Sequence, residues 1–383
     1  MTKINRRDLI KWLGAGIVCS QIPVTGSLAF GSTSNHQSNS PKLVWIVLRG
    51  AMDSLHAVLP AFDGNLLVHR RLIAEPALEA MLPMDQGFGL NNNLPTLHSW
   101  YQQKQMVPVV AVASPYRQRS HFEGQDVLES GLFPLNQDNG WLSRALEATG
   151  KTGLAVSHSL PVSLRGGQLA GTWYPNTIPS AKEDLYQRLF QMYKQDDLLH
   201  DRLEEALNVR GIVGNSMNGN SRKFKALAEA AGTLLSHQES PDAIMLEMGG
   251  WDTHDNQLSR LSRQFQELDS GLQTMRTSMG EQTWNNTIVM IATEFGRTVA
   301  MNGTGGTDHG TASCLFMAGG AVNGGKVQSN WPGLAKKDLY EERDLRPTSD
   351  IRQWISAALM QHWQLSTAQL KSIFPDITPA KIV

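Results

Sequence analysis

The chain has 383 residues, of which 41% are hydrophobic and 18% are charged, and its formal net charge at pH 7 is −1. A chain of this length can bury a large core, enough for one large α/β domain or two ordinary ones. It has no lysine- and arginine-rich tract and no acidic tail, which argues against a nucleic-acid partner. A small or neutral substrate therefore fits the composition better than a polyanion.

The first 31 residues have the pattern of an export signal. Arg6 and Arg7 precede an apolar run over residues 12–29 that contains several glycines and ends in small residues. This pattern resembles a cleaved twin-arginine signal peptide, with an uncleaved anchor as the alternative. We therefore expect the twin-arginine machinery to export the protein to the periplasm or the extracellular space, with no stable membrane span after processing. Residues 32–41 are mostly polar and predict a flexible linker.

The remainder, residues 42–383, is expected to form a single α/β domain. Five short, continuously apolar runs are typical of strands that are covered on both faces. Residues 258–275 carry apolar side chains at alternating three- and four-residue steps, which predicts a helix with one buried face. Such strands and helices in alternation predict a mostly parallel sheet with helices on both sides. Residues 131–235 are the least regular section and are expected to form cap-like insertions. The predicted strands are 43–48, 107–113, 243–248, 287–292 and 314–317.

Acidic and histidine side chains flank several of these strands. Because parallel strands bind ligands at their carboxyl ends, we expect these side chains to meet in one cleft. Carboxylates that share a cleft repel one another unless a cation compensates them, which indicates a divalent metal site. For each residue alone, helix capping or structural packing is the alternative. The candidate metal ligands are Asp53, Asp252, His254, Glu294, Asp308 and His309.

A basic loop after the second predicted strand carries the candidate catalytic residues Arg119, Ser120 and His121. Ser120 lies at a predicted helix start, where backbone amides and nearby arginines favour an anion. A metal in contact with its hydroxyl would make it a nucleophile; alternatively, Ser120 caps the helix and Glu123 completes a capping box. His121 and, less strongly, Asp126 are expected to orient ligands or protonate a leaving group, with packing on the helix as the alternative.

Five motifs, taken in order, resemble a family of exported bacterial proteins named domain of unknown function 1501, which is related to the alkaline phosphatase and sulfatase superfamily. The motifs are Arg-Gly-x-Met-Asp, Ser-His-Phe-x-x-Gln-Asp, Trp-Asp-Thr-His, Thr-Glu-Phe-Gly-Arg-Thr and Gly-Thr-Asp-His-Gly. The resemblance spans roughly residues 43–374. It implies a three-layer α/β/α sandwich, alkaline phosphatase-like, with metal held at the strand ends.

The resemblance also implies roles for individual residues. Asp53 matches a metal-bridging acid, Ser120 a nucleophile, and the other candidate ligands match metal-binding positions, with Asp308 as an added ligand. Phe295 stands where related phosphatases have a ligand histidine, so one metal ion is as consistent with the sequence as two. The sulfatase motif Cys-x-Pro-x-Arg is absent, which argues against a formylglycine sulfatase.

The sequence thus predicts an exported metal-dependent hydrolase of phosphate, sulfate or related esters, with a small-molecule or glycan ester as substrate. The cofactor is one or two divalent ions, and the sequence does not distinguish zinc, manganese, magnesium and calcium. The alternative is a non-catalytic, metal-stabilised binding or assembly protein of the cell envelope.

Overall fold

A computed structural model of the chain describes residues 40–175, 183–213 and 223–381. The predicted export signal, residues 1–31, and all but the last two residues of the predicted linker lie outside the described residues. Among those described, no helix is both long enough and apolar enough to cross a lipid bilayer.

An eight-stranded sheet forms the centre of the described chain. β1 (Lys42–Leu48) lies in the middle, parallel to β8 (Ala243–Met248) on one side and to β9 (Thr287–Ala292) on the other. β10 (Ser313–Ala318) is antiparallel to β9 and to β5 (Met106–Ala113), so its amino end lies at the edge where those strands end. The other strands are β6 (Gly153–Val156), β7 (Ala170–Trp173) and β11 (Ser349–Asp350), and the order is β11-β5-β10-β9-β1-β8-β6-β7.

Helices cover both faces of this sheet. Successive side chains of a strand point to opposite faces: Val44 and Ile46 pack with one group of helices, and Leu43 and Trp45 pack with another. This arrangement confirms the predicted three-layer α/β/α sandwich. The first layer contains α3 (Pro95–Gln102), α8 (Phe224–Ser236) and α9 (Gln257–Asn285), and the second contains α5 (Trp141–Thr149), α10 (Ile351–His362) and α11 (Thr367–Ile373).

Smaller elements surround the sandwich. A three-stranded antiparallel sheet has the order β2-β4-β3 and consists of β2 (Val58–Pro60), β3 (Leu82–Pro83) and β4 (Phe88–Leu90). The remaining α-helices among the described residues are α1 (Ser54–Ala57), α2 (Asn65–Ala80), α4 (His121–Ser130), α6 (Glu183–Tyr193) and α7 (Asp197–Val213).

The five predicted strands are confirmed, and the predicted helix lies within α9. Within residues 131–235, for which cap-like insertions are expected, the described residues supply α5, β6 and β7 to the sandwich, and α8 packs on α9. β6 and β7 have four residues each, with small side chains among them, so neither gives a clear periodic signal in the sequence.

Candidate metal centre

Three segments bring histidine and acidic side chains to the edge where β1, β8 and β9 end. His121 is the first residue of α4, Asp252 and His254 lie in the loop after β8, and His309 lies just before β10. Because β10 is antiparallel to its neighbours, the residues before it reach the same edge as the residues after β8 and β9.

Three imidazole nitrogens and one carboxylate oxygen converge at this edge. Nε2 of His309 lies 2.9 Å from Nε2 of His121 and 3.0 Å from Nε2 of His254. Oδ1 of Asp252 lies 3.0 Å from Nε2 of His254, 3.3 Å from Nε2 of His309 and 3.5 Å from Nε2 of His121. The ligand atoms of His121, Asp252 and His309 all lie within 4.8 Å of one another. We call these four residues the His–Asp cluster.

The outer nitrogen of each imidazole contacts an oxygen that only accepts hydrogen bonds. Each Nδ1 therefore carries the proton and donates it, and in the neutral ring Nε2 then presents a lone pair to the centre of the cluster. Outer hydrogen bonds to carboxylates and carbonyls are typical of metal-ligating histidines. The pairs are His121 with Oε1 of Glu294 at 2.7 Å, His254 with Oδ1 of Asp308 at 3.0 Å, and His309 with the backbone oxygen of Arg119 at 2.9 Å.

These observations fit a bound divalent cation. Lone pairs that face one another at about hydrogen-bond distance repel unless a proton or a cation lies between them. All three Nε2 atoms and the Asp252 oxygen are available as ligands. The donor set, three imidazoles and one carboxylate, is of the kind that holds transition metals in proteins.

Arg297 holds the carboxylate of Asp252 from the protein interior. Its buried guanidinium lies 2.5 Å from Oδ1 of Asp252 and also donates to the backbone oxygens of Gly50, Ala51 and Trp251. Burial opposes ionisation of Asp252, but the hydrogen bond and charge of Arg297 outweigh it, and the pKa of Asp252 is lowered. Sequence reasoning missed this role, although an arginine so close behind a buried strand end was a usable signal.

The histidines differ in their affinity for a proton. The hydrogen bond to Glu294 raises the pKa of His121 against the opposing effect of burial. Burial and the nearby His121 lower the pKa of His309. Glu294 is itself buried, yet the hydrogen bonds from His121 and the backbone amide of Gly50 hold its pKa below the ordinary value. Glu294 is therefore an ionised acceptor that keeps His121 in one tautomer.

Glu294 and Asp308 were expected as metal ligands, but the structure places them one step outside the cluster. Besides His121, Glu294 accepts hydrogen bonds from Gly50 at 2.8 Å, Gln125 at 3.1 Å and Thr293 at 2.9 Å. Asp308 accepts from His254 and from Nδ2 of Asn302 at 3.1 Å. Both carboxylates orient histidines, a role that depends on tertiary contacts absent from the sequence pattern.

Asp53 was also expected as a ligand, and the structure does not bring it into the cluster. Nη1 of Arg70 lies 3.0 and 2.8 Å from its two oxygens, and Gln257 donates to Oδ2 at 2.6 Å. The backbone amide of Leu55 donates to Oδ1 at 3.1 Å. Asp53 and Arg70 are each 1% exposed. A guanidinium thus supplies the positive charge that this buried carboxylate requires.

Ser120 precedes α4, but its side chain makes no capping hydrogen bond. Its backbone amide donates to the hydroxyl of Tyr116 at 3.1 Å, and that hydroxyl donates to Oε2 of Glu123 at 2.9 Å. The predicted capping box is therefore absent, because the carboxylate of Glu123 accepts its hydrogen bond from Tyr116 and not from the backbone amide of Ser120. In the sequence, Ser120 lies between Arg119 and His121. The backbone oxygen of Arg119 accepts the hydrogen bond from Nδ1 of His309.

Arg119 and Asp126 are engaged outside the cluster. The guanidinium of Arg119 lies 2.5 Å from Glu341 and 2.8 Å from Asp344, so its charge is already compensated. Arg119 contributes to the metal centre through its backbone oxygen, which accepts a hydrogen bond from His309, and not through its guanidinium. Asp126 accepts a hydrogen bond from Gln137 at 2.6 Å.

Phe295 fills the space beside the histidines. Its buried ring stacks on His121, with centroids 5.1 Å apart, and its centroid lies 5.4 Å from that of His309. An apolar ring therefore stands at the position for which the family resemblance implied a second set of ligands.

No curated protein matches the sequence. A family model described as "Protein of unknown function (DUF1501)" matches residues 67–374. Similar solved structures include Ps i-CgsB in complex with k-i-k-neocarrahexaose, at 13% identity and a TM-score of 0.42, covering 86% of this chain and 74% of that one. Alkaline phosphatase from the Antarctic bacterium TAB5 has 13% identity, a TM-score of 0.33 and coverage of 73% and 92%. Lipoteichoic acid synthase LtaP from Listeria monocytogenes has 10% identity, a TM-score of 0.36 and coverage of 89% and 76%.

Proposed function

The chain belongs to the family described as "Protein of unknown function (DUF1501)". Because that description assigns no activity, we infer the function from the candidate metal centre, and we propose that the protein is a metal-dependent hydrolase of phosphate, sulfate or related esters. One observation carries the proposal. Ser120, whose side chain does not cap α4, directly precedes His121, one of three histidines whose Nε2 atoms converge with an oxygen of Asp252. A serine beside a metal is a common arrangement for nucleophilic attack on an ester.

We assign metal binding to His121, Asp252, His254 and His309, with one ion per chain. Three imidazoles and one carboxylate favour zinc, manganese or iron(II), whereas magnesium and calcium prefer oxygen ligands. Such an ion, when bound, polarises an ester oxygen and lowers the pKa of a hydroxyl group.

The protein's own residues prepare the site in three ways. Glu294, Asp308 and the Arg119 carbonyl keep the histidine lone pairs directed inward. Arg297 keeps Asp252 ionised. Ser120 lies at the amino end of α4, where the backbone amides of the first turn and the helix dipole favour the negative charge that develops on an ester during attack.

We also propose that the protein works outside the cytoplasm after twin-arginine export. The support is the paired Arg6 and Arg7 before an apolar run. Cell fractionation tests this: changing both arginines to lysine should retain the protein in the cytoplasm, and unchanged export would contradict the assignment.

Elemental analysis and ester hydrolysis test the enzymatic proposal together. We would compare the wild type with His309→Ala, Ser120→Ala and the control Ser372→Ala, using aryl phosphate, phosphodiester and aryl sulfate substrates. His309→Ala should lose both metal and turnover. Ser120→Ala should keep its metal and lose roughly 10³-fold or more in kcat. The exposed Ser372, on α11, should tolerate the change.

Two outcomes would contradict parts of this proposal. One equivalent of tightly bound metal without turnover of any ester would support the rival function, a metal-stabilised binding or assembly protein. Turnover that survives Ser120→Ala would remove the serine as nucleophile and leave a water molecule in its place.

A further inference from the structure

A polar pocket of about 260 Å³ lies at the same edge of the sheet as the candidate metal centre. Arg49 follows β1, Glu247 is the penultimate residue of β8, and Ser157 follows β6. Glu129, on α4, forms part of the same wall. The pocket therefore belongs to the edge at which open α/β sheets bind their ligands.

Hydrogen bonds connect this pocket to the cluster. The guanidinium of Arg49, which lines the pocket, donates to Oε1 of Gln125. The amide nitrogen of Gln125 donates to Glu294 at 3.1 Å, and Glu294 binds His121. A molecule that occupied both places would have one part at the His–Asp cluster and another part against Arg49.

The wall of the pocket carries donors and acceptors of opposite charge. Arg49 lies 2.7 Å from Glu129 and 2.5 Å from Glu247, so these charges largely compensate one another. Arg165 and Asp126 also line the pocket, and neither has an ion-pair partner among the described residues. Nε of Arg49 is buried without a hydrogen-bond partner in this part of the chain.

This lining selects for a particular ligand chemistry. Of the described residues that line the pocket, only Pro161 and Val162 are apolar, so an apolar group would gain little there. A group with a net charge would meet a wall whose charges are already nearly balanced. Hydroxyl groups both donate and accept hydrogen bonds, and they can therefore satisfy guanidinium, carboxylate and serine side chains together.

We propose that this pocket binds the alcohol portion of the substrate ester and that this portion is a neutral polyhydroxylated group, a sugar or a polyol. The assignment rests on the proposed function, because it places the ester group at the His–Asp cluster and the rest of the substrate beside Arg49. Asp126 accepts one hydrogen bond, from Gln137 to Oδ2, and Arg165 donates to the backbone oxygens of Leu160 and Gln137. Their charges have no ion-pair partner among the described residues, so Oδ1 of Asp126 and Nη2 of Arg165 are the atoms that we assign to hydroxyl groups of the ligand.

Hydrolysis by the metal-loaded full chain tests this substrate class. We would measure kcat/KM for hexose phosphates and sulfates and for the matching aryl esters in the wild type, Arg165→Gln and Asp126→Asn. Each change should lower kcat/KM for the hexose ester, relative to the aryl ester, by about fivefold or more. Arg71→Gln, an exposed arginine on α2, is the control and should leave this ratio unchanged.

Direct binding separates failure of the pocket from failure of the hydrolase. We would titrate metal-loaded protein with glucose and with glycerol by ligand-observed NMR, and Arg165→Gln should weaken glucose binding by about fivefold. Binding of this kind without hydrolysis of any ester would overturn the proposed function and leave the pocket supported. Glucose binding that is absent or insensitive to Arg165→Gln and Asp126→Asn, or equal losses for hexose and aryl esters, would overturn the pocket assignment.

Discussion

Asp53 and Asp252 both follow buried strands, yet different groups neutralise their carboxylates. Asp53 is enclosed by Arg70 and Gln257, whereas Asp252 receives Arg297 on one side and faces three histidines on the other. A buried carboxylate with a guanidinium partner needs no metal ion, while one that faces imidazole lone pairs completes a ligand set. The same position relative to a strand therefore leads to a structural role in one case and a candidate ligand in the other.

This contrast predicts opposite effects of two substitutions on metal binding. Asp252→Asn should remove the metal, and it should also lower stability because the buried Arg297 loses its counter-charge. Asp53→Asn should keep the metal but lower the free energy of unfolding by about 3 kcal/mol, because Arg70 stays buried without a counter-charge. Elemental analysis and chemical denaturation measure the two effects.

Asp255→Asn provides the control for both changes, since Asp255 is exposed and pairs with Arg260 at the surface. It should change stability by less than about 1 kcal/mol and leave the metal bound. Loss of metal from Asp53→Asn without loss of stability would make Asp53 a ligand, as the family resemblance implied.

The raised pKa of Glu129 predicts that the stability of the protein depends on pH. Burial raises its pKa from 4.5 to about 7, against the opposing charge of Arg49, and Glu247 adds to the rise. Below pH 4.5 the folded and unfolded states both hold the proton. As the pH rises from 4.5 towards 7, only the unfolded state releases this proton, so the free energy of unfolding falls. The fall is complete above the pKa of Glu129 in the folded state.

Denaturation of the wild type and Glu129→Gln across this pH range measures the effect. The free energy of unfolding of the wild type should fall relative to that of the variant by roughly 3 kcal/mol. Glu75→Gln, at an exposed ion pair on α2, should follow the wild-type curve. Parallel curves for the wild type and Glu129→Gln would show that Glu129 does not titrate differently in the folded state.

At the scale of elements, backbone hydrogen bonds join the segment just before β10 to the segment just after β9. The amide of Gly310 donates to the backbone oxygen of Gly296 at 2.8 Å, and the amide of Gly296 donates to Thr311 at 3.0 Å. A Cβ at Gly310 would lie 2.4 Å from the backbone of Arg297. This close approach sets the position of His309 relative to Arg297 and, through it, to Asp252.

Gly310→Ala should therefore force the two segments apart, lowering metal affinity by about tenfold and stability by about 2 kcal/mol. Metal titration and denaturation check both values. Gly303→Ala is a matched control in the same loop, because a Cβ there meets no atom within 4 Å. Equal effects of the two substitutions would contradict a specific role for the close contact.

Most of the sandwich could be predicted because its buried strands are continuous apolar runs and α9 has a regular apolar stripe. The strands β6 and β7 could not, since four residues give too little pattern. The antiparallel direction of β10 could not be predicted from the sequence either, because an apolar run does not indicate in which direction a strand pairs.

For the site, the rule that ligands gather at strand ends placed Asp252, His254 and His309 at one edge. The sequence could not separate ligands from the groups that orient them. That distinction depends on two tertiary contacts. Arg70, on α2, forms an ion pair with Asp53, and Glu294 accepts a hydrogen bond from His121. Short-range patterns record neither contact.

At the scale of the whole molecule, the proposed metal ion would connect segments that are remote in the chain. His121 belongs to α4, Asp252 and His254 follow β8, and His309 precedes β10. In the unfolded chain these groups are far apart and have no common site. Binding is therefore coupled to folding, and an ion that binds only the native state stabilises it by mass action.

The last prediction follows from this coupling. Zinc or manganese at a hundred times its dissociation constant should add about 2.7 kcal/mol to the free energy of unfolding, and a chelator should remove that increment. Thermal unfolding of the wild type should therefore shift upward by a few degrees with metal. In His309→Ala the shift should disappear, whereas the exposed His237→Ala should keep it. A melting temperature of the wild type that is insensitive to both metal and chelator would contradict a metal centre that joins these three segments.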